Sequence, residues 1–236
     1  MPTGPKSSVE EIRARFDQDV ERFSNLATGQ TATMDAADCM ELVTEAAALA
    51  SPGATRALDV GCGAGNFSLK LRERLPGVHC TLLDLSQPML DRARQRLGAA
   101  AAETLQGDVR EVEFGSEWYD IILAAAVLHH LRTPEEWRAV YGKFFRALRP
   151  GGGLWVFDLV AHENPAIQVQ LWARYCRYLE GMGGIPYRDK VFAYVAKEDT
   201  PTPVTFQLEV MRQAGFTRLD VLHKNACFAA FGGTRP

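Results

Sequence analysis

Five short stretches of this chain sit where apolar runs end, and their residue types could hold a ligand or move a proton. The first, Gly61-Cys62-Gly63-Ala64-Gly65, joins a short apolar strand to an amphipathic helix. Glycine removes side chains where backbone must approach a ligand, and the first turn of a helix offers unpaired N–H groups. The turn is therefore either a nucleotide cradle or a purely structural strand-to-helix connection. The dinucleotide fingerprint needs a third small residue where this chain has Asn66, so Gly61-x-Gly63-x-Gly65 is a tighter pattern.

The other stretches are Asp84-Leu85, Asp108-Val109, Ala125 through His130, and Asp158. Asp84 ends the second predicted strand, where a carboxylate can accept from both hydroxyls of a ribose. Asp108 ends the third and can accept from the exocyclic amine of adenine, while the Val109 N–H donates to the ring and Leu85 covers its face. Each aspartate alone could be a helix cap, but their occurrence at successive strand ends is harder to explain that way. His129, His130 and Asp158 follow later strands and are candidate general bases, His130 foremost. The plain reading of the histidine pair is a satisfied, half-buried pair in a strand-to-helix loop. With the five cysteines, His79, His129, His130, His162 and His223 show no recognised zinc spacing, so no metal site is expected.

The elements that must position these residues alternate in type. Ser7 or Ser8, with Glu10 and Glu11, opens a helix that carries Val9, Ile12, Phe16, Val20 and Phe23 on one face. A polar stretch from Ser24 to Thr33 breaks it, and Asp35 is placed to cap a second helix that Ser51-Pro52-Gly53 ends. Strands are expected before the glycine turn, at Val78–Leu85, Thr104–Asp108, Tyr119–Val127 and Leu154–Val160. Helices lie between them, one opened by Ser86 with Pro88 and one by Thr133-Pro134-Glu135-Glu136 and closed by Pro150-Gly151-Gly152. A helical insertion over residues 162–200 carries Ile167, Leu171, Tyr175 and Leu179 at i, i+4 spacing. A helix over Pro203–Ala214 and a strand pair, Phe216–His223 with Ala226–Phe231, complete the chain. This is the rhythm of a doubly wound, Rossmann-like α/β sheet.

The 236 residues are 47% hydrophobic and 23% charged, an ordinary globular balance with enough apolar residues for a sizeable core. A formal net charge of −3 gives no reason to expect a polyanionic partner. The basic segments Arg72-Glu73-Arg74 and Arg92-Ala93-Arg94-Gln95-Arg96 fall on helices, where a solvated face is the usual explanation, so nucleic acid is not the expected partner. No apolar run approaches the ~20 residues of a membrane span. Met1 to Ser8 lacks an apolar signal core, and the cysteines form no C-x-x-C pair, so a cytoplasmic protein with free thiols is expected.

Leu58-Asp59-Val60-Gly61-Cys62-Gly63-Ala64-Gly65, Leu82-Leu83-Asp84-Leu85-Ser86, Gly107-Asp108-Val109, Val127-Leu128-His129-His130-Leu131 and Leu148-Arg149-Pro150-Gly151-Gly152 resemble, in order and spacing, the motifs of class I S-adenosylmethionine-dependent methyltransferases. The resemblance spans roughly residues 55–160 and implies a seven-stranded sheet with an antiparallel last strand. It also implies that Gly61 and Gly63 pass the methionine part of the cofactor, that Asp84 holds the ribose, and that Leu85, Asp108 and Val109 surround the adenine. Cys62, Met89 and Ala125 complete the expected cofactor set. Phe16-Asp17, Val20 and the region from Ala214 to Phe228 are similar to the branch containing carboxy-S-adenosylmethionine synthase. Val210 stands where ungapped comparison expects that branch's carboxylate-pairing arginine, and a neutral side chain cannot make that contact. Unmodified S-adenosylmethionine is the expected cofactor.

These readings divide one methyltransferase domain into an N-terminal helical cap (1–52), a cofactor-binding core (53–160), a helical insertion (161–200) and a C-terminal helix with a strand pair (201–236). The expected reaction is in-line methyl transfer to a small-molecule acceptor. The alternatives are a carboxy-S-adenosylmethionine synthase-like transferase and a non-catalytic cofactor-binding protein on the same fold. Trp172, Tyr175, Tyr178, Tyr187, Phe192 and Tyr194 of the insertion could wall the acceptor pocket, or could equally be core or a homodimer contact.

Overall fold

A computed structural model of the chain describes residues 5–25 and 29–236. Arg56–Val60 (β1), His79–Asp84 (β2), Ala101–Gln106 (β3), Tyr119–Ala125 (β4), Leu148–Leu159 (β5), Thr217–Asn225 (β6) and Phe228–Thr234 (β7) form a seven-stranded sheet of order β3-β2-β1-β4-β5-β7-β6. The first five strands are parallel, and β7 runs antiparallel to both β5 and β6. Strand order reverses between β1 and β4, and a doubly wound sheet binds ligands outside the carboxyl ends of its strands at such a point.

Successive strand residues face opposite sides, so each buried strand feeds two core layers. Leu58, Val60, Ile122, Ala124, Leu154 and Val156 meet Pro134–Ala147 (α6) and Val204–Ala214 (α8) on one side. On the other, Ala57, Ile121, Leu123, Trp155 and Phe157 share a layer with Ala36–Ala50 (α3), Asn66–Arg74 (α4), Gln87–Leu97 (α5) and Pro165–Glu198 (α7). Continuous apolar runs such as Ile121–Ala125 are what a parallel strand covered on both faces requires.

The expected single N-terminal helix is two, Val9–Gln18 (α1) and Val20–Ser24 (α2), broken at Asp19 with φ −104° and ψ 11°. Of the predicted polar stretch from Ser24 to Thr33, residues 26–28 lie outside the described residues, as do residues 1–4 of the N-terminal stretch. Ser8 caps α1: its Oγ accepts from the Glu11 N–H at 3.2 Å, and Glu11 Oε2 accepts from the Ser8 N–H at 2.9 Å. Ser8→Ala removes half of this box and should cost about 1 kcal/mol in urea unfolding. An unchanged midpoint would show that α1 is held by its packing alone.

Asp35 precedes α3 in a left-handed conformation and makes no side-chain cap. Its carboxylate instead accepts from His223 Nε2 at 2.8 Å and Asn225 Nδ2 at 2.7 Å, fastening the start of α3 to β6. The expected end of α6 at Pro150-Gly151-Gly152 also moves: the helix ends at Ala147, and Leu148 already pairs with Tyr119. In α7, Gly183 (φ −153°) and Gly184 (φ 71°) are non-helical and divide it into two helical segments, the second opened by Ile185-Pro186. Of the residues set at i, i+4 spacing, Ile167 is exposed while Tyr175 and Leu179 are buried, beside a buried Trp172. The terminal pair runs further than expected, with its turn at Ala226-Cys227 rather than Lys224-Asn225.

Candidate functional site

Gly61, Cys62, Gly63, Asp84, Leu85, Met89, Asp108, Val109 and Ala125 all line one cavity at the carboxyl ends of β1, β2 and β4. The glycine turn has a specific shape. Gly61, Gly63 and Gly65 have φ of +65°, +49° and +80°, a region that favours glycine. A Cβ on Gly61 would stand 2.6 Å from Val127, whereas one on Gly63 would meet nothing within 4 Å. Gly61 is therefore required by packing, while Gly63 leaves open space for a ligand.

Asp84 Oδ2 accepts from the Gly63 N–H at 2.8 Å and Oδ1 from the Ser86 N–H at 2.9 Å. Burial pushes this carboxyl above its ordinary value, while those two N–H groups act the other way. These bonds do not exhaust the roughly four acceptor sites of a carboxylate, so the group can brace the turn and still accept from a ligand. Asp108 is more committed: Oδ1 accepts from the Arg110 N–H at 2.8 Å and Nε at 3.0 Å, and Oδ2 from a guanidinium nitrogen at 2.5 Å. Burial opposes its charge, but Arg110 prevails and holds the carboxyl below its ordinary value. About one of the roughly four acceptor sites of a carboxylate is left over.

Two further contacts explain the turn. Asp59 on β1 is buried, and its Oδ2 accepts from Ser68 Oγ at 2.6 Å and the Ser68 N–H at 3.2 Å, locking α4 to the strand. Burial pushes its carboxyl up to about 6, against those bonds. Asn66, which occupies the third small position of a dinucleotide loop, accepts from Arg96 at 2.7 Å and donates to the Phe23 carbonyl at 3.0 Å. Its side chain ties the N-terminal helices over the turn. The face carrying Val9, Ile12, Phe16 and Phe23 thus closes the cavity instead of filling the core.

A second cavity adjoins the first, and Phe16, Phe23, Gln30, Ala126 and His130 line both. Ala126 has φ 52°, an uncommon value for a residue with a Cβ, and its N–H donates to the Phe157 carbonyl at 2.8 Å. Of the six aromatics proposed for an acceptor wall, Tyr175, Tyr187 and Tyr194 line this cavity. Trp172 and Phe192 pack on each other with ring centroids 5.5 Å apart, and Tyr178 stacks on Tyr175 and donates to the Thr31 carbonyl at 2.8 Å. The kink at Gly183-Gly184 folds the second segment back, so that Phe192 packs on Trp172 and Tyr175.

At the base of the second cavity His129, His130, Asp158, Glu198 and Asp199 come together. Asp158 Oδ1 pairs with His129 Nδ1, and its Oδ2 accepts from the His129 N–H at 3.0 Å. Asp158 Oδ1 also accepts from the Leu159 N–H at 2.8 Å, so both oxygens are engaged. Burial opposes charge on His129, but Asp158 and Asp199 outweigh it and push the imidazole up to about 9. Burial, then the charge of His129, holds His130 well below its ordinary value. Burial pushes Asp199 up to about 6, with His129 acting the other way.

His130, the favoured base, faces both cavities, whereas Asp158 stands behind His129. Asp199 and Glu198 are absent from the sequence-derived set. They end a helix whose nearest site partner is some seventy positions away in the chain, and no local pattern marks them. They are set in place by the Thr200 N–H donating to the His129 carbonyl at 2.6 Å and by Arg15, which grips Glu198 through Nε at 2.9 and 3.1 Å. Val210, on the buried face of α8, is only 2% exposed and lines neither cavity. The ungapped spacing misplaced it, so the Val210 comparison carries no information about the cofactor's charge.

A doubly wound sheet with an antiparallel final pair, and an acidic strand end beside a glycine turn, define a Rossmann-like methyltransferase fold. The chain belongs to the class I S-adenosylmethionine-dependent methyltransferases. Residues 57–152 match the family model described as "Methyltransferase domain". The ubiquinone/menaquinone biosynthesis C-methyltransferase UbiE of Roseobacter denitrificans is 30% identical over 175 residues, covering 71% of this chain and 68% of the relative. An uncharacterised methyltransferase of Mycobacterium tuberculosis is 33% identical over 115 residues, and there the match spans 49% of this chain and about half, 54%, of the relative. Among solved structures, human N-acetylserotonin methyltransferase in complex with S-adenosylmethionine shares the fold with a TM-score of 0.63 at 17% identity, covering 96% of this chain and 57% of that one.

Proposed function

We propose that the first cavity holds S-adenosylmethionine and that the second holds a small, largely aromatic acceptor which receives its methyl group. The observation that carries this reading is the shared wall of Phe16, Phe23, Gln30, Ala126 and His130, which sets the two cavities side by side. Bound S-adenosylmethionine supplies an electrophilic methyl on a cationic sulfur. The protein then has to hold donor and acceptor in line, and positioning alone can supply much of the rate. Open space at Gly63 and the carboxylates of Asp59 and Asp84 suit a cationic nucleoside ligand. Asp17 adds to this field, since its charge reaches Asp84 and its Oδ1 is buried without a partner.

The aromatic lining from Tyr175, Tyr187, Tyr194, Phe16 and Phe23 supports a flat apolar acceptor. The name of the Roseobacter relative, a C-methyltransferase of quinone biosynthesis, agrees with that class. His130 is the group best placed to take a proton from such an acceptor, being neutral and facing both cavities. Asp158 acts through His129 as a positioning residue. We read residues 1–52 and 161–200 as one cap over a single domain. Five free thiols support a reducing compartment, and no described helix is long and apolar enough to cross a membrane.

The test is transfer of label from methyl-labelled S-adenosylmethionine to a panel of hydroxylated aromatic compounds. Labelled product with stoichiometric S-adenosylhomocysteine is the expected result. Tight cofactor binding with no transfer to any acceptor would favour the non-catalytic reading. The mass of the ligand that co-purifies tests ordinary against carboxylated cofactor.

A further inference from the structure

Asp199 Oδ1 lies 3.6 Å from His129 Nε2 and 3.5 Å from His130 Nδ1, and the three ligand atoms all lie within 4.8 Å of one another. These spacings are long for hydrogen bonds, which for N–H···O run at about 2.7–3.2 Å. They are close to the edge of a metal coordination polyhedron: bonds of roughly 2.0–2.1 Å at a tetrahedral angle put neighbouring ligand atoms about 3.4 Å apart. A single proton can bridge Asp199 to only one of the two imidazoles. A cation can satisfy all three atoms at once.

The surroundings complete the pattern. His129 Nδ1 is paired with Asp158, which fixes a proton there and leaves Nε2 facing Asp199 as the nitrogen whose proton a cation would replace. A carboxylate behind a ligating histidine is the usual means of orienting it and raising its basicity. The other neighbour of His130 Nδ1 is the Glu198 carbonyl at 3.5 Å, a contact too long to hold it. Arg15, whose charge reaches this cluster, is paired with Glu198. All three ligand residues line the second cavity, so the remaining coordination positions open toward it.

We propose that His129 Nε2, His130 Nδ1 and Asp199 Oδ1 bind one divalent first-row transition cation at the base of the second cavity. Two imidazoles and one carboxylate with open positions suit zinc, iron(II) or cobalt(II). Binding of the cation stands independently of any reading of the cavity. Its role rests on the acceptor reading above: it would take a hydroxyl or carbonyl oxygen of the acceptor, fix its orientation toward the first cavity, and make a bound hydroxyl more acidic. His130 then serves as a ligand, and loss of the acceptor's proton follows from coordination.

Full-length protein stripped with a chelator would be titrated with Co²⁺, following its visible ligand-field bands, with cofactor affinity measured by calorimetry on the same samples. Saturable binding of one Co²⁺ per chain is expected, displaced by Zn²⁺. Asp199→Asn should weaken it at least about tenfold, and His130→Gln likewise, with S-adenosylmethionine affinity unchanged in Asp199→Asn. Retained cofactor affinity certifies that the variant is folded. Non-saturable Co²⁺ binding, or equal binding by wild type and both variants, overturns the site. Loss of S-adenosylmethionine binding in the wild type would instead sink the cofactor reading and leave the metal result standing.

Discussion

Asp84→Ala lowers the affinity for S-adenosylmethionine by about 2–3 kcal/mol, roughly 30- to 150-fold, when calorimetry compares it with wild type. A buried carboxylate is costly, and here backbone N–H groups, chiefly those of Gly63 and Ser86, offset that cost. Ribose hydroxyls supply two more donors, and hydrogen bonds to an ionised group are stronger than neutral ones. Alanine removes those acceptors and also the brace on the Gly63 amide. It relieves a buried charge as well, so the unliganded variant should unfold within about 1 kcal/mol of wild type. Asp84→Asn separates the two roles, since one amide oxygen can still accept from Gly63 but cannot take both hydroxyls. Unchanged affinity in both variants would sink the ribose assignment. A large fall in unliganded stability would assign Asp84 to the turn instead.

Asp84 was legible because two local signals bracket it, whereas Asp108 had only the strand end before it. A strand of continuous apolar residues ends, and a helix with its own cap and face begins, so the residue between must lie at the carboxyl edge of the sheet. The βα alternation, the switch point and the antiparallel final pair follow from the same punctuation. The second cavity had no such brackets. His129 and His130 carry a local signal, but the group that faces both, Asp199, arrives from the end of α7 by tertiary packing. The aromatic wall was half legible. Helical spacing predicts one stripe, but Gly183-Gly184 breaks the helical phase, so the spacing of Tyr187 and Tyr194 from Tyr175 did not mark them as sharing its cavity. Asp35 shows the same limit, since a preferred cap residue went to His223 and Asn225 across the fold.

Arg15→Ala should destabilise the protein by about 2–3 kcal/mol, below the 3–5 of a fully buried pair because part of the guanidinium is in solvent. Arg15 joins α1 to the last turn of α7 through a two-pronged contact with Glu198, whose side chain is 5% exposed against 23% for Arg15. Its guanidinium also lies over the rings of Phe16 at 4.2 Å and Tyr194 at 5.1 Å, both of which line the second cavity. Truncation therefore leaves a buried Glu198 carboxylate beside Asp199 with its main counter-ion gone, and loosens two walls of the cavity. If the cost comes chiefly from the orphaned charge, Glu198→Gln added to Arg15→Ala should restore more than half of it, because the neutral amide no longer needs a counter-ion. Urea unfolding of the four proteins gives the coupling directly. Strict additivity would mean that Arg15 stabilises the cap by packing on Phe16 and Tyr194 alone. A positive coupling would make the Arg15–Glu198 pair the clasp that holds the N-terminal helices against the residue carrying the Asp199 carboxylate.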